Sequence, residues 1–254
     1  MNIQIVSASH KPYWMPDDPI YLPLFVGSTG RASIPGFLRD DTGEQISARN
    51  DRYCELTGIY WAWKNLDADY IGLTHYRRYF ARRLGFSKKQ RIANRSTIER
   101  ALKKADVILP KKRRYFIETN YSHYAHAHHE QDLMLAKEIL QQTNPDYLPD
   151  WDRVMERTSG HRFNIFVMKK PLLDAYLSWM FDLLFSLEQR LDVSGYSGID
   201  KRVFGLVSER LLDVWIAHNR VSFVELPVIT LENQHWPRKI VRFLKRKFAN
   251  RRAV

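Results

Sequence analysis

Five short runs of β-branched and apolar residues, Ile3 to Ser7, Tyr70 to Thr74, Asp106 to Leu109, Phe163 to Met168 and Val221 to Val228, are separated by longer helical patterns. Strands that alternate with helices predict an α/β fold, a mostly parallel central sheet flanked by helices. One helix is expected over Tyr53 to Leu66, where Leu56, Ile59, Tyr60, Trp63 and Leu66 recur at three- and four-residue spacing, with Asn50 or Asp51 as N-cap. A second runs from Ser122 to Gln142, with Leu133, Ala136, Ile139 and Leu140 on one side. Pro171 suits the first turn of a third. A fourth, Arg202 to His218, buries Val203, Leu206, Val207 and Val214. No internal repeat interrupts the chain, so one domain is expected over residues 1–232, followed by an extension over 233–254.

Composition supports a packed globular body: 44% of residues are hydrophobic and 13% aromatic. A single cysteine, Cys54, excludes an internal disulfide framework and fits a reducing compartment, the cytosol by default. MNIQIVSASH has no basic leader and reads as a first strand. The most apolar stretch, Pro171 to Leu191, carries Asp174, Asp182 and Glu188. Each would cost about 2.5–3.5 kcal/mol at the centre of a membrane helix, so it reads as a buried soluble helix. The net charge is +12, but eight Lys and Arg lie between Trp236 and Val254, which contains no acid. The rest of the chain keeps +4, a modest value for a soluble domain.

Position along the strands selects the candidate site. In open α/β sheets ligands bind beyond the carboxyl ends of strands. Asp67-Ala-Asp69 has the spelling of a metal-binding Asp-x-Asp motif, yet it enters the strand Tyr70 to Thr74 at its amino end and reads as a helix-to-strand turn. His75, Tyr76, Arg77 and Arg78 leave the same strand at its carboxyl end. A guanidinium holds two phosphate oxygens at once, and alternation along an extended segment turns one of the two arginines to the ligand. The Gly- and Pro-punctuated segment between the first strand and first helix is long enough to be functional.

The blocks GFLRDDTGEQIS, YCELTGIYWAWKNLDADYIGLTHYRRYF, ILPKKRRYFIETNYSHYAH, FNIFVMKK, SWMFDLLFSLEQRLDVSGYS and RVFGLVSERLLDVW together resemble one bacterial family. It comprises capsular and exopolysaccharide biosynthesis glycosyltransferases long labelled a domain of unknown function. The resemblance spans nearly the whole chain. It implies a GT-A-like domain that moves a sugar from a nucleotide-sugar donor, a UDP-hexose or UDP-galactofuranose, to a lipid-linked saccharide acceptor in capsule, exopolysaccharide or O-antigen synthesis. It leaves the sugar, the stereochemical outcome and the catalytic residues open. In GT-A folds the Asp-x-Asp follows a central strand; His75-Tyr76-Arg77 takes that place here. A divalent metal, Mg2+ or Mn2+, is therefore disfavoured and no metal ligand is assigned.

Such a transfer needs cations for the leaving diphosphate and a base for the acceptor hydroxyl. Arg77, supported by His75 and Arg78, is assigned to the diphosphate. Ser7, Ala8 and His10 at the exit of the first strand, with Asp40, Asp41 and Asn50 from the long segment and Glu55 at the helix start, are the other donor-binding candidates. Glu209 is the first candidate base, with Asp132 and Glu130 as alternatives. His126, His128, His129 and Glu130, in YSHYAHAHHEQD, are assigned to the acceptor side. His126 with Glu130 and His128 with Asp132 have helical spacing, but the zincin pattern is absent, since Leu133 replaces its second histidine.

In the tail, Ile240, Val241, Leu244 and Phe248 line one side of an otherwise basic helix. Such a helix suits an anionic bilayer surface and places the protein on the inner face of the cell membrane. Two other function classes compete. A nucleic-acid-binding module would use this tail and Lys111-Lys112-Arg113-Arg114, although no nucleic-acid-binding signature accompanies them and no nucleic-acid partner is expected. A metal-dependent hydrolase would use the histidine cluster.

Overall fold

The structure, a computed structural model, describes residues 1–232. The expected tail helix and the second part of the chain, 233–254, lie outside the described residues. The strands are β1 (Ile3–Ser9), β2 (Tyr21–Phe25), β3 (Leu38–Arg39), β4 (Tyr70–His75), β5 (Arg78–Phe80), β6 (Val107–Pro110), β7 (Arg113–Arg114), β8 (Ser159–Gly160), β9 (Phe166–Lys169), β10 (Val224–Leu226) and β11 (Val228–Thr230). The helices are α1 (Asn50–Tyr53), α2 (Leu56–Asn65), α3 (Arg95–Leu102), α4 (Asn120–Ala125), α5 (Glu130–Thr143), α6 (Leu148–Glu156), α7 (Lys170–Arg190) and α8 (Val203–His218).

The main sheet runs β10-β6-β9-β4-β1-β2-β3, with β5 and β11 joined beside β4. Pairing is parallel from β4 through β1 and β2 to β3, whereas β9 lies antiparallel between β4 and β6. The mostly parallel, helix-flanked sheet agrees with the expectation from strand–helix alternation. Both faces are covered, as the period of two in the strands requires. Val6 and Ala8, Val107 and Leu109, and Phe166 and Met168 pack towards α2, α5, α7 and α8. Ile3 and Ile5, Ile108 and Val167 point the other way, towards α3 and β5. Each such buried Phe, Ile, Leu or Val contributes about 1.5–3 kcal/mol. Gly72, mid-β4, lets β9 approach: a Cβ there would stand 2.8 Å from the Phe166 carbonyl oxygen.

Four expected elements differ at their ends, each for a local reason. The helix expected over Tyr53 to Leu66 is two helices, because Cys54 takes φ +53 and breaks the ladder; Asn50 sits inside α1 and caps neither. The helix expected over Ser122 to Gln142 is broken between α4 and α5, where His129 is extended. The strand expected from Phe163 begins at Phe166, since Phe163 and Asn164 are left-handed. Pro227 separates the last expected strand into β10 and β11.

Candidate active site

Beyond the carboxyl edge of the sheet, β1 and β4 release their chains side by side, since they pair in register from Ile3–Tyr70 to Ala8–His75. The Tyr76 amide donates to the Ala8 carbonyl at 3.1 Å and ties the two exits together. His10 stands edge-on to the Tyr76 ring, and its carbonyl accepts from the Arg31 guanidinium at 2.9 Å. Burial, first, and then Lys11, Arg202, Arg31 and Arg77 hold the His10 pKa below its ordinary value. Those cations come from the β1 exit, the short 3-10 turn Asp200–Arg202 before α8, the loop after β2 and the β4 exit. An imidazole ringed in this way marks an electropositive cradle suited to an anion.

Arg78 is a half-buried cation with little to hold. Its guanidinium lies over the Phe163 ring at 4.4 Å, its Nε is buried without a partner, and its side chain has no hydrogen bond or ion pair among the described residues. Burial and then Arg77 push its pKa down, against the pull of Glu55, Glu209 and Glu232. Arg77 differs: it pairs with Glu232 at 3.0 Å, although its Nε is also unpartnered. Of the two, Arg78 keeps its donors free for a ligand.

Beside the cations lies a carboxylate side. Glu55 accepts from the Asn164 amide at 2.9 Å and has His75 Nε2 at 3.4 Å. Burial raises its pKa, but His75 and the hydrogen bonds outweigh burial and hold the carboxyl below its usual range. His75 Nε2 also lies 3.0 Å from the Phe163 carbonyl oxygen. Glu209, on α8, accepts from the Phe163 amide at 3.0 Å and from Arg210 at 3.3 Å, with its side chain 18% exposed. Phe163 and Asn164, at φ +78 and +52, join all three. Each such non-glycine residue costs about 1–3 kcal/mol, a strain that clusters at working sites.

Residues 4–220 match the family described as Domain of unknown function (DUF4422). The chain belongs to that family. A solved structure, described as the WbbM bifunctional glycosyltransferase in its apo form, is 31% identical to it, with a TM-score of 0.85. The match covers 92% of this chain and 46% of that one, so the DUF4422 chain spans under half the length of its structural relative. Among curated proteins none matches.

In this DUF4422 domain several residues expected at the site are turned away from it. Ser7 is buried with its hydroxyl 3.2 Å from that of Thr74, and Ala8 is buried. Asp40 is fully buried, and its carboxylate accepts from five donors: the Gly27 and Ser28 amides and the Ser28, Ser47 and Thr57 hydroxyls. It braces the long segment and presents nothing to a ligand. Asp41 is held by Arg39 at 2.5 Å, and that hydrogen bond depresses its pKa. Asn50 donates to the Cys54 carbonyl and the Thr57 hydroxyl, bridging the break between α1 and α2.

The histidine cluster is assembled through tertiary partners, not helix spacing. His126 pairs with Glu118 at 3.0 Å and His128 with Asp200 at 2.7 Å, while His129 stacks on Tyr196 and has Asp200 at 3.8 Å. Asp200 opens the turn that carries Arg202, so the cluster borders the cradle. Glu130 accepts from Tyr121 at 2.7 Å. Asp132 is only 1% exposed and accepts from the Tyr124 and Tyr196 hydroxyls; burial raises its pKa against those bonds. With both oxygens occupied and no exposure, it is unsuited to take an acceptor proton.

Sequence reasoning missed the network beneath Phe163. His161 Nδ1 bonds Asp213 and its Nε2 lies 3.1 Å from Glu225, while Arg162 holds Asp213, Asn120, the Tyr115 hydroxyl and the Glu209 carbonyl. His161, Arg162 and Asp213 are all buried. The local signal was Gly160, where a Cβ would meet Arg162 and Asp213 at under 3 Å. At the amino end of β4, Asp69 accepts from the Asn2 amide at 2.7 Å, a bond to the distant start of β1. A divalent cation wants several carboxylate or carbonyl oxygens, and the β4 exit offers His75, Arg77 and Arg78 in their place. Among the described residues no three or more His, Cys, Asp or Glu side chains gather to hold a metal ion. The residues at this edge do not fit one. Also among the described residues, no helix is long and apolar enough to cross a membrane.

Proposed function

We propose that this chain is a glycosyltransferase that takes a hexosyl unit from a nucleotide-sugar donor, a UDP-hexose or UDP-galactofuranose, and passes it to a lipid-linked saccharide in capsule, exopolysaccharide or O-antigen assembly. The observation that carries this reading is Arg78, a half-buried guanidinium with no partner among the described residues, beside the cation-ringed His10 at the carboxyl edge of β1 and β4. A nucleoside diphosphate supplies the charge that this edge is built to receive. The likeness to a glycosyltransferase structure supports the same class.

In the reaction, an acceptor hydroxyl oxygen attacks the anomeric carbon, the bond from that carbon to the diphosphate oxygen breaks, and the nucleoside diphosphate departs with the electron pair. Arg78, Arg77, Arg31 and Arg202 neutralise the charge that develops on the leaving oxygens. The hydroxyl proton passes to Glu209, whose carboxylate the Phe163 amide aims. Glu55 and His75 keep the strained Phe163-Asn164 turn in place. The acceptor approaches past His128, His129 and Asp200. The basic tail holds the enzyme on the inner face of the cell membrane, where a lipid-linked acceptor is found.

The test is a donor screen by nucleoside-diphosphate release, with and without EDTA. Glu209→Gln keeps a carbonyl for the Phe163 amide but cannot accept a proton, so kcat falls by about 10²–10⁴-fold while donor KM holds. Turnover that survives Arg78→Ala and Glu209→Gln, yet vanishes with EDTA or Asp69→Ala, refutes the assignment.

A further inference from the structure

A second surface carries none of the residues assigned to the transfer. The 82–91 loop carries Leu84, 81% exposed, and Phe86, fully exposed, and the 111–117 loop carries Phe116 and Ile117, also exposed. Both apolar tips are set in basic sequence. No Asp or Glu occurs from Tyr70 to Ile98, and none from Val107 to Ile117. Between the loops lies a groove of about 1010 Å3 lined by Leu84 and by Arg82, Arg83, Arg100, Lys103, Lys104 and Lys111, with Glu225 its one acid.

The first loop is built to hold its apolar side chains outward. Arg82 and Arg91 pair through their backbones at 2.8 Å, and the Arg82 guanidinium donates to the Gln90 carbonyl at 2.8 Å. The Gln90 side-chain oxygen accepts from the Phe86 and Ser87 amides, each at 3.1 Å. Burying an apolar residue is favourable, so a braced loop that displays Leu84 and Phe86 among cations needs an environment offering both hydrocarbon and anions. Nucleic acid satisfies the cations and leaves Leu84 and Ile117 in water; an anionic bilayer interface satisfies both.

The route of the chain adds an independent argument. Lys88 donates to the Leu231 and Glu232 carbonyls at 3.2 and 3.3 Å, so the chain leaves the described residues beside this loop. From that point the sequence turns strongly basic, with eight Lys and Arg and no acid between Trp236 and Val254. We propose that the 82–91 and 111–117 loops, with the basic groove between them, form a docking surface for an anionic lipid bilayer, with Leu84 and Phe86 inserting among the headgroups. This deepens the reading of a lipid-linked acceptor but does not depend on the donor chemistry.

The full chain is sedimented with phosphatidylcholine vesicles with and without phosphatidylglycerol. Binding is expected only with the anionic lipid, and Leu84→Asp/Phe86→Asp should weaken it by about tenfold or more. Nucleoside-diphosphate release to a soluble acceptor should be unchanged in that variant, which separates failure of docking from failure of the transferase reading. A fluorophore on Phe86→Cys should be quenched by nitroxide-labelled lipid chains, while one on Met134→Cys should not, with the parent and its Cys54 as background. Equal vesicle binding by parent and double variant, with the Phe86→Cys probe unquenched, overturns the proposal. So does binding to a single-stranded RNA without binding to anionic vesicles.

Discussion

Replacing Arg78 by Met should weaken donor binding without weakening the fold, and the two effects have separate physical origins. In the free protein the guanidinium is half-buried, stacked on Phe163, with its Nε unpartnered. A buried donor left unsatisfied costs about 1–3 kcal/mol, which Met removes while keeping contact with the ring. The nearby carboxylates keep other partners: Glu55 has His75, Glu209 has Arg210 and Glu232 has Arg77. The melting temperature should therefore hold or rise by about 2–4 °C for each kcal/mol gained. On the ligand side, a charge-assisted hydrogen bond is worth about 1.5–3 kcal/mol. At about 1.4 kcal/mol per decade that is roughly 10- to 150-fold in affinity for a nucleoside diphosphate. Calorimetric titration with UDP and thermal unfolding of the same preparation read both. Arg78→Lys should fall between, since it keeps the charge and loses the planar fork. A variant that binds UDP as the parent does but melts several degrees lower would make Arg78 a structural residue and refute this reasoning.

Three further outcomes follow from the geometry. His10 should titrate below its ordinary value in the free protein; a bound diphosphate offsets the surrounding cations and raises that pKa, so binding takes up a proton and tightens as pH falls through the bound-state value. Calorimetry in buffers of different ionisation heat, with His10→Ala as control, measures the uptake, and none at all would contradict the cradle. Asp213→Ala strands the Arg162 guanidinium as a buried charge and removes the partner of His161 Nδ1, which should cost about 3–5 kcal/mol and appear as a large drop in denaturation midpoint. Asp40→Ala leaves its amide and hydroxyl donors unsatisfied and should destabilise by about 2–4 kcal/mol in urea, where Asp41→Ala, at a more exposed pair, should cost under about 1 kcal/mol.

Much of the core was legible because its signal is local, although β2, α3 and α6, which also line it, were not anticipated. Alternating apolar residues in Val107 to Leu109 and Phe166 to Met168 state which side each faces, and both faces are buried. The same locality showed that Asp67 and Asp69 stand at the wrong end of β4 for a carboxyl-edge site and that His75 to Arg78 stand at the right one. What misled was the helical extrapolation through Cys54 and through His126 to His129, where one positive φ and one extended residue break the pattern. In the histidine segment the partners are distant in sequence, such as Asp200 for His128, which spacing does not reveal.

The sequence alone therefore determined the helix-flanked, mostly parallel sheet and which residues leave β4 at its carboxyl end, since periodicity and strand polarity need only neighbours along the chain. Tertiary structure decided which charges are free. Asp40, Asp132 and Arg77 look available in the sequence and are bound by Ser47, Tyr196 and Glu232, whereas Arg78, with Lys11 and Arg202 near His10, has no ion pair among the described residues. Pairing of buried charges depends on long-range contacts, because desolvation makes each carboxylate or guanidinium take whatever partner the fold brings near.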